Sequence, residues 1–210
     1  MQYEIDLAID SASLGKIFAA GQSVTLVKSA LVGSAVANGN LPVAWISFQP
    51  QQQNNVSWEE DYLIYATQTQ LQAGAQIVMS SVTASPVQDQ ILYQLQSGAF
   101  TPILGQGSHG TFDAENQMQS TALMSFGLAQ SATINGKQSV SPLNAIPVLY
   151  NQEVTFTPIE QVSVFLSSIN NNGVVISQVA STALDVILTS QTPKATVTFN
   201  SATNTFVLGS

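Results

Sequence analysis

The chain has 210 residues, a net charge of −8 and no cysteine, and only 8% of its residues are charged. All four basic residues are lysines, so the sequence offers no positive cluster for a nucleic acid or an anionic membrane. The lack of cysteine also excludes disulfide bonds, thiolate metal sites and cysteine nucleophiles.

Alternation of apolar and polar residues begins at once, because residues 3, 5, 7 and 9 are apolar and fall on one side of an extended chain. Segment 11–20 predicts a short helix with Ser11 or Ser13 as its N-cap and Gly21 as its end. A further helical turn is predicted at 67–72. Strands are predicted by the same alternation at 23–32, 43–48, 57–66, 75–83, 90–96, 119–129, 153–158, 161–168, 173–179, 182–189, 195–199 and 204–208.

Turn sequences separate these strands, among them Ser97-Gly98, Asn135-Gly136 and the asparagine-rich run at 170–173. About a dozen short strands at regular spacing predict an all-β fold, with at most one or two short helices. Composition does not change along the chain. We therefore expect a single-domain antiparallel β-sandwich spanning 1–210.

No targeting segment is recognisable at the beginning of the sequence. The stretch MQYEIDLAID lacks the basic region and the long apolar core of a signal peptide. This favours cytoplasmic synthesis, with non-classical release as a route out of the cell. The most apolar stretch, 29–48, is interrupted by Asn38-Gly39-Asn40 and Pro42, so it does not predict a transmembrane helix.

Three adjacent acids, Glu59, Glu60 and Asp61, follow a polar loop and precede an apolar half-strand. Two carboxylates on one strand face have a spacing that suits a glycosidase, but no other polar residues of such a site accompany them. Glu59 and Asp61 are an alternative cation site if Asp113 and Glu115 supply further oxygens. The simpler interpretation is solvated charge at the wet end of a strand, and we expect no metal and no cofactor.

The single histidine lies in a glycine-rich stretch, GQGSHGTFD. Ser108, His109 and Asp113 have the residue types of a catalytic triad, but residues so close in sequence do not easily align hydroxyl, imidazole and carboxylate. A mobile surface loop is the expected structure. Ser108 and His109 remain loop candidates, because loops on rigid β scaffolds often carry function.

Five aromatic residues fall within 21 positions around the glutamine-rich loop at 51–55. Such rings suit membrane interfaces and sugar-stacking sites, but they also fill sandwich cores. Trp45 is expected in the core because its segment is apolar on both faces, and Trp58 is expected at the surface because polar residues flank it. As candidates for lipid or ligand binding we take Trp45, Phe48, Trp58, Tyr62 and Tyr65.

Segments 43–77 and 120–145 resemble parts of small bacterial and fungal proteins that lack signal peptides. As a type, an acidic, cysteine-free, all-β chain of this size is similar to small cytolysins and insecticidal proteins that act on membranes. The resemblance includes no catalytic motif, and it assigns no role to any residue.

Three functions are therefore open. The first is a non-enzymatic membrane- or receptor-binding protein, with pore-forming or insecticidal activity as its strongest form. The second is a lectin-like sugar-binding module, and the third is a self-assembling structural protein, favoured by the weakly charged, amide-rich surface. An enzyme is not expected, since no nucleophile with its base stands out. The expected partners are neutral lipid, glycan or a protein receptor, together with further copies of the chain in a homo-oligomer.

Overall fold

A computed structural model describes residues 1–33, 42–119 and 124–209 and confirms the all-β fold. One helix and seventeen strands lie within these ranges. In chain order they are β1 (Gln2–Ala8), α1 (Ser11–Ala19), β2 (Ser23–Val32), β3 (Val43–Ala44), β4 (Ile46–Phe48), β5 (Gln53–Thr67), β6 (Ser81–Val82), β7 (Ile91–Gln96), β8 (Ala99–Leu104), β9 (Phe112–Asn116), β10 (Ser125–Ile134), β11 (Lys137–Pro142), β12 (Ile146–Pro147), β13 (Glu153–Ser167), β14 (Val174–Val175), β15 (Leu184–Ile187), β16 (Lys194–Asn200) and β17 (Thr205–Leu208).

The strands form two main sheets that pack as a sandwich. The first sheet has the order β11-β10-β5-β1-β16-β17, and the second has the order β4-β2-β13-β9-β7-β8. Strands β6 and β12 pair with β5 and β10, β15 pairs with β13, and β14 pairs with β3 in a separate two-stranded sheet. The sequence predicted purely antiparallel sheets. The structure differs in two places, because β1–β16 and β7–β9 are parallel pairs.

The core lies between the inner faces of the two sheets. Alternation puts every second side chain there, and Ile5 and Leu7 of the first sheet are as fully buried as Leu26, Phe156 and Val164 of the second. These side chains belong to one continuous apolar cluster. The period-two pattern of the sequence therefore reports the packing of the sandwich.

Helix α1 begins at Ser11 as predicted, but its N-cap precedes both predicted caps. The N-cap is Asp10, whose carboxylate accepts hydrogen bonds from the backbone N–H and the hydroxyl of Ser13 at 2.9 and 2.6 Å. The prediction of Ser11 or Ser13 as the cap was wrong, because the Asp10 carboxylate can accept both bonds at once. The predicted end at Gly21 fits, since its φ of +63° is a left-handed conformation that glycine adopts without strain.

Several predicted boundaries differ from the structure. Segment 75–83 is mostly loop, 173–179 contains only the two residues of β14, and 67–72 forms no helical turn. The segments 153–158 and 161–168 are one strand, β13, while β8, β9, β11 and β12 were not predicted. The predicted strand at 119–129 partly falls on 120–123, outside the described residues, and β10 begins at Ser125. Ile77 of the 68–80 loop and Val175 of β14 are apolar because they pack beside Tyr65 on the outer face of the first sheet.

Gly127 in β10 marks a close approach of three segments. A methyl group there would overlap the backbone oxygen of Asn144 and lie 2.7 Å from the Tyr65 ring. We expect Gly127→Ala to lower the free energy of unfolding by about 1–3 kcal/mol, the usual cost of overpacking. Urea unfolding measures this change. Gly15→Ala in α1 is the control, because nothing lies within 4 Å of its added methyl group. An equal effect at both positions would contradict the tight approach at Gly127.

Candidate functional site

Three of the five candidate aromatic residues lie together in the core. Trp45 is 0% exposed, and Trp58 and Tyr62 are each 2% exposed. The Trp45 and Trp58 rings meet edge to face, with centroids 5.3 Å apart. The predicted exposure of Trp58 was wrong, because the alternation of β5 places this ring on the same inner face as Val56. These rings form no binding surface.

The other two candidates lie elsewhere. Tyr65 points to the outer face of the first sheet, where its hydroxyl donates a 2.6 Å hydrogen bond to the carbonyl of Asn144. Phe48 in β4 is half-buried against the main core. The structure therefore brings Trp45, Trp58 and Tyr62 together and separates them from Tyr65.

The side chain of Lys28 lies at the centre of the three rings. Lys28 was not among the candidate residues predicted from the sequence. Its Nζ lies 5.6, 5.4 and 4.9 Å from the ring centroids of Trp45, Trp58 and Tyr62. At such distances an ammonium group is attracted to the negative ring faces. We call Lys28 and these three rings the lysine cage.

Every N–H of the Lys28 ammonium has an acceptor. It donates to the Tyr62 hydroxyl at 2.9 Å and to the Gln130 and Glu160 Oε1 atoms at 2.8 Å each. An ammonium group has three N–H donors, so its hydrogen-bonding capacity is fully used. The buried charge is neutralised by Glu160, whose Oε2 is also 2.8 Å from Nζ.

The network continues through Glu160 and joins the two sheets. The Glu160 carboxylate also accepts hydrogen bonds from Trp58 Nε1, at 2.9 Å, and from the Tyr62 hydroxyl. Gln130 donates through Nε2 to the carbonyl of Glu59 at 2.6 Å. Lys28 and Glu160 belong to the second sheet and the other partners to the first, so the polar network ties the sheets together.

Two β-bulges flank the lysine cage. On β13, residues 159–161 lie opposite a single residue of β2, since Pro158 pairs with Ala30 and Val162 with Lys28. On β5, residues 59–61 likewise lie opposite a single residue of β10. Each bulge adds two residues and bends its strand locally. Glu160 reaches the cage from the first bulge, and the second contains the three adjacent acids.

Burial changes the acid–base behaviour of the cage. It lowers the pKa of Lys28 to about 8, although the neighbouring Glu160 carboxylate favours the charged form. Burial and then Glu160 raise the pKa of Tyr62. A lysine with a lowered pKa is the kind that forms Schiff bases. However, the Lys28 side chain is fully buried and all three of its N–H groups are bound, so this amine has no open position for a substrate.

The acidic run is exposed because the bulge on β5 turns it out of the sheet. Glu59 and Asp61 face solvent beside a shallow cavity of about 160 Å³, and Glu60 accepts a 2.7 Å hydrogen bond from the Tyr3 hydroxyl. Asp113 and Glu115, the further oxygens considered for a cation, lie on β9 of the other sheet. No group of three or more metal-ligating side chains is found within the described ranges.

The Ser108–His109 loop does not assemble a triad. His109 is exposed, and its Nδ1 lies 2.8 Å from the Asp89 carboxylate rather than near Asp113. Ser108 contacts Asp113 through its backbone N–H. Hydrogen bonds from Gly110 and then His109 hold the pKa of Asp89 below its usual value. The contacts of Asp89 and Asp113 therefore serve to shape the loop.

Exposed apolar side chains such as Leu104, Ile187 and Leu208 are spread over the surface, and three further ones lie at the end of the sandwich where β5 ends and β10 begins. Ser125 pairs with Thr67 on one side and with Pro147 on the other, so the loop at 68–80 and the turn at 148–152 lie near each other. We call these two segments the loop end. Leu149 and Tyr150 at the tip of the turn are 63% and 45% exposed, and Val78 is exposed in the neighbouring loop.

The loop end is also free of positive charge. All four lysines lie in other parts of the chain, and the acid Glu153 begins β13 beside the turn. Burial, followed by the charges of Asp113 and Glu115, raises the pKa of Glu153. The local charge is therefore negative or zero.

The protein is an all-β sandwich, and the buried lysine cage with its polar network lies at the centre of the fold. No protein-family model matches the chain, and comparisons with curated proteins and with solved structures give no match either. No helix in the part of the chain that the structure describes is long and apolar enough to cross a membrane.

Proposed function

We propose that the protein is a non-enzymatic binding protein that attaches to neutral lipid surfaces through its loop end. The observation that carries this proposal is the exposed Leu149-Tyr150 pair at the tip of the turn before β13. A leucine beside a tyrosine suits the boundary between lipid and water, because one end of the tyrosine side chain is apolar and the other is polar.

Charge supports neutral rather than anionic lipid. The loop end has no lysine, and the acids Glu115 and Glu153 lie near it, so anionic headgroups would be repelled. Burial of a leucine side chain contributes about 1.5–3 kcal/mol, so reversible attachment requires Leu149 to insert together with the exposed Tyr150 and Val78. The resemblance to membrane-acting cytolysins is consistent with this activity, and pore formation would require several attached copies.

The candidate aromatic residues of the core do not support lipid binding. Trp45, Trp58 and Tyr62 are inside the sandwich and present no ring to lipid or sugar. The lectin-like alternative depended on the same rings for stacking, so it loses its residues. The three N–H groups of the Lys28 ammonium are all bound inside the core, so this amine is closed to substrates, which is consistent with a non-enzymatic protein.

Flotation with phosphatidylcholine vesicles, with and without sterol, tests the proposal. We expect Leu149→Ser to weaken binding by at least about tenfold, because the loss of one buried leucine exceeds the 1.4 kcal/mol that corresponds to that factor. Stability should hardly change, since the side chain is exposed. Leakage of an enclosed dye, measured on the same vesicles, tests pore formation.

Leu104→Ser is the matched control. Leu104 is 77% exposed, but it lies at the end of β8 farther from the loop end. Binding that is weakened equally by both substitutions would show that exposed leucines act without a specific site. Stronger binding to vesicles rich in phosphatidylserine than to neutral vesicles would contradict the charge argument.

A further inference from the structure

A cavity of about 410 Å³ lies at the end of β13 that is farther from the Leu149-Tyr150 turn. Its walls are the last turn of α1, the end of β13 and the β16–β17 hairpin. Pockets for small molecules generally enclose about 300–1,000 Å³, so this volume suits a small ligand. We call it the helix–hairpin cavity.

The lining of the helix–hairpin cavity is divided between apolar and polar groups. Phe199 and Phe206 pack edge to face with centroids 5.3 Å apart, and Ile17 and Phe165 complete the apolar part. These side chains are largely buried and belong to the core clusters, so that part is fixed by packing. The polar groups come from Gln22, Thr182, Asn204 and Thr205.

One charged side chain lines the cavity, and it is a lysine. The lining contains Lys16 and no aspartate or glutamate, although acids outnumber lysines twelve to four in the sequence. Lys28 and Lys194 are paired with Glu160 and Glu4 at 2.8 Å. Over the described ranges, Lys16 has no carboxylate within 4 Å. Its ammonium is therefore available to a ligand.

We infer that the helix–hairpin cavity binds a small amphipathic carboxylate, with its apolar body against the phenylalanine side chains and its carboxylate at Lys16. A charge-assisted hydrogen bond to an ammonium favours the anion. The hydroxyl and amide groups of Thr182, Thr205 and Gln22 provide further partners for the oxygens. This site is separate from the Leu149-Tyr150 turn, which precedes the other end of β13.

Titration with octanoate, followed by amide chemical shifts in NMR, tests this inference. We expect shifts concentrated at residues that line the cavity, and weaker binding of 1-octanol, which has the same chain length but no charge. Lys16→Gln should weaken octanoate binding by about tenfold, the effect of losing roughly one charge-assisted hydrogen bond. Ala20→Phe, at the exposed end of α1, should block the cavity while it leaves Lys16 in place.

Lys137→Gln is the matched control, because it removes the same charge from an exposed position on β11. Octanoate binding should be unchanged in this variant. Equal weakening by Lys16→Gln and Lys137→Gln would show a general charge effect and overturn the site. Equal affinity for octanol and octanoate would overturn the role of the carboxylate, and shifts spread over the whole surface would overturn the cavity.

Discussion

Lys28→Met should lower the free energy of unfolding by about 3–5 kcal/mol, the usual cost of removing one partner of a buried ion pair. Methionine fills a similar volume but leaves Glu160 without its cation and Gln130 Oε1 without its donor. Water cannot replace the lost ammonium at Glu160, because hydrogen bonds from Trp58 Nε1 and the Tyr62 hydroxyl hold the carboxylate in the network. Urea unfolding followed by tryptophan fluorescence measures the change.

The matched variant is Lys28→Met combined with Glu160→Gln. This pair removes both charges, so the cost should be smaller than the sum of the two single costs, by about 0.5–3 kcal/mol. Strictly additive costs would mean that the ion pair does not couple the two side chains. A Lys28→Met protein as stable as the wild type would overturn the structural role of the lysine cage.

The pH dependence of stability provides a second readout for the same variant. Since the pKa of Lys28 is about 8 in the folded chain against 10.5 in its ordinary state, the unfolded chain binds more protons between these values. Unfolding free energy from Lys28 should therefore rise with pH above 8, by on the order of 3 kcal/mol in total. Tyr62 acts in the opposite sense above pH 10, because its pKa is raised in the fold. The rise between pH 8 and 10 should be absent in Lys28→Met.

Trp58→Ala should also cost about 3–5 kcal/mol, as expected for a large aromatic side chain removed from a packed interior. The substitution opens a void against the Trp45 ring and deletes the 2.9 Å hydrogen bond to Glu160. Thermal or urea unfolding measures the loss. Any reduction in lipid binding should follow the unfolded fraction, since this ring does not reach the surface.

Two further variants separate the contributions to the stability change of Trp58→Ala. Trp58→Phe keeps most of the packing and removes the indole N–H, so it isolates the hydrogen bond, at about 0.5–3 kcal/mol. Tyr150→Ala removes an aromatic ring that is nearly half exposed and should change stability by no more than about 0.5 kcal/mol. A Trp58→Ala protein that is as stable as Tyr150→Ala would contradict the burial of Trp58.

Local patterns in the sequence were sufficient to predict the class of fold and the inner face of most strands. They also held an unused signal for the lysine cage. Lys28 alternates in phase with Val24 and Leu26, and Glu160 with Phe156 and Val162, so both charges occur where the pattern requires apolar residues. One positive and one negative charge on the apolar faces of two strands predict a buried pair.

Other features depend on contacts between distant segments and leave no local pattern. Whether β2 and β13 are neighbours cannot be read from either strand, so the partners of Lys28 could not be assigned. The exposure of Trp58 was misjudged because the bulge at 59–61 turns the acids outward while the strand continues inward on both sides. Segment 75–79 alternates like a strand because it packs on the first sheet and pairs with β14 through the bridge between Gln76 and Val174.

The position of β1 has a consequence for the order in which the chain assembles. This strand lies between β5 and β16, and its parallel register with β16 joins Glu4 to Lys194 across nearly the whole sequence. One edge of β1 therefore stays without its partner strand during synthesis until residues 194–198 have left the ribosome. Contacts so distant in sequence close slowly, on the order of milliseconds to seconds for sandwich proteins. Until then the first sheet exposes an unpaired edge, so the nascent chain depends on β16, which starts only at residue 194, to become resistant to misassociation.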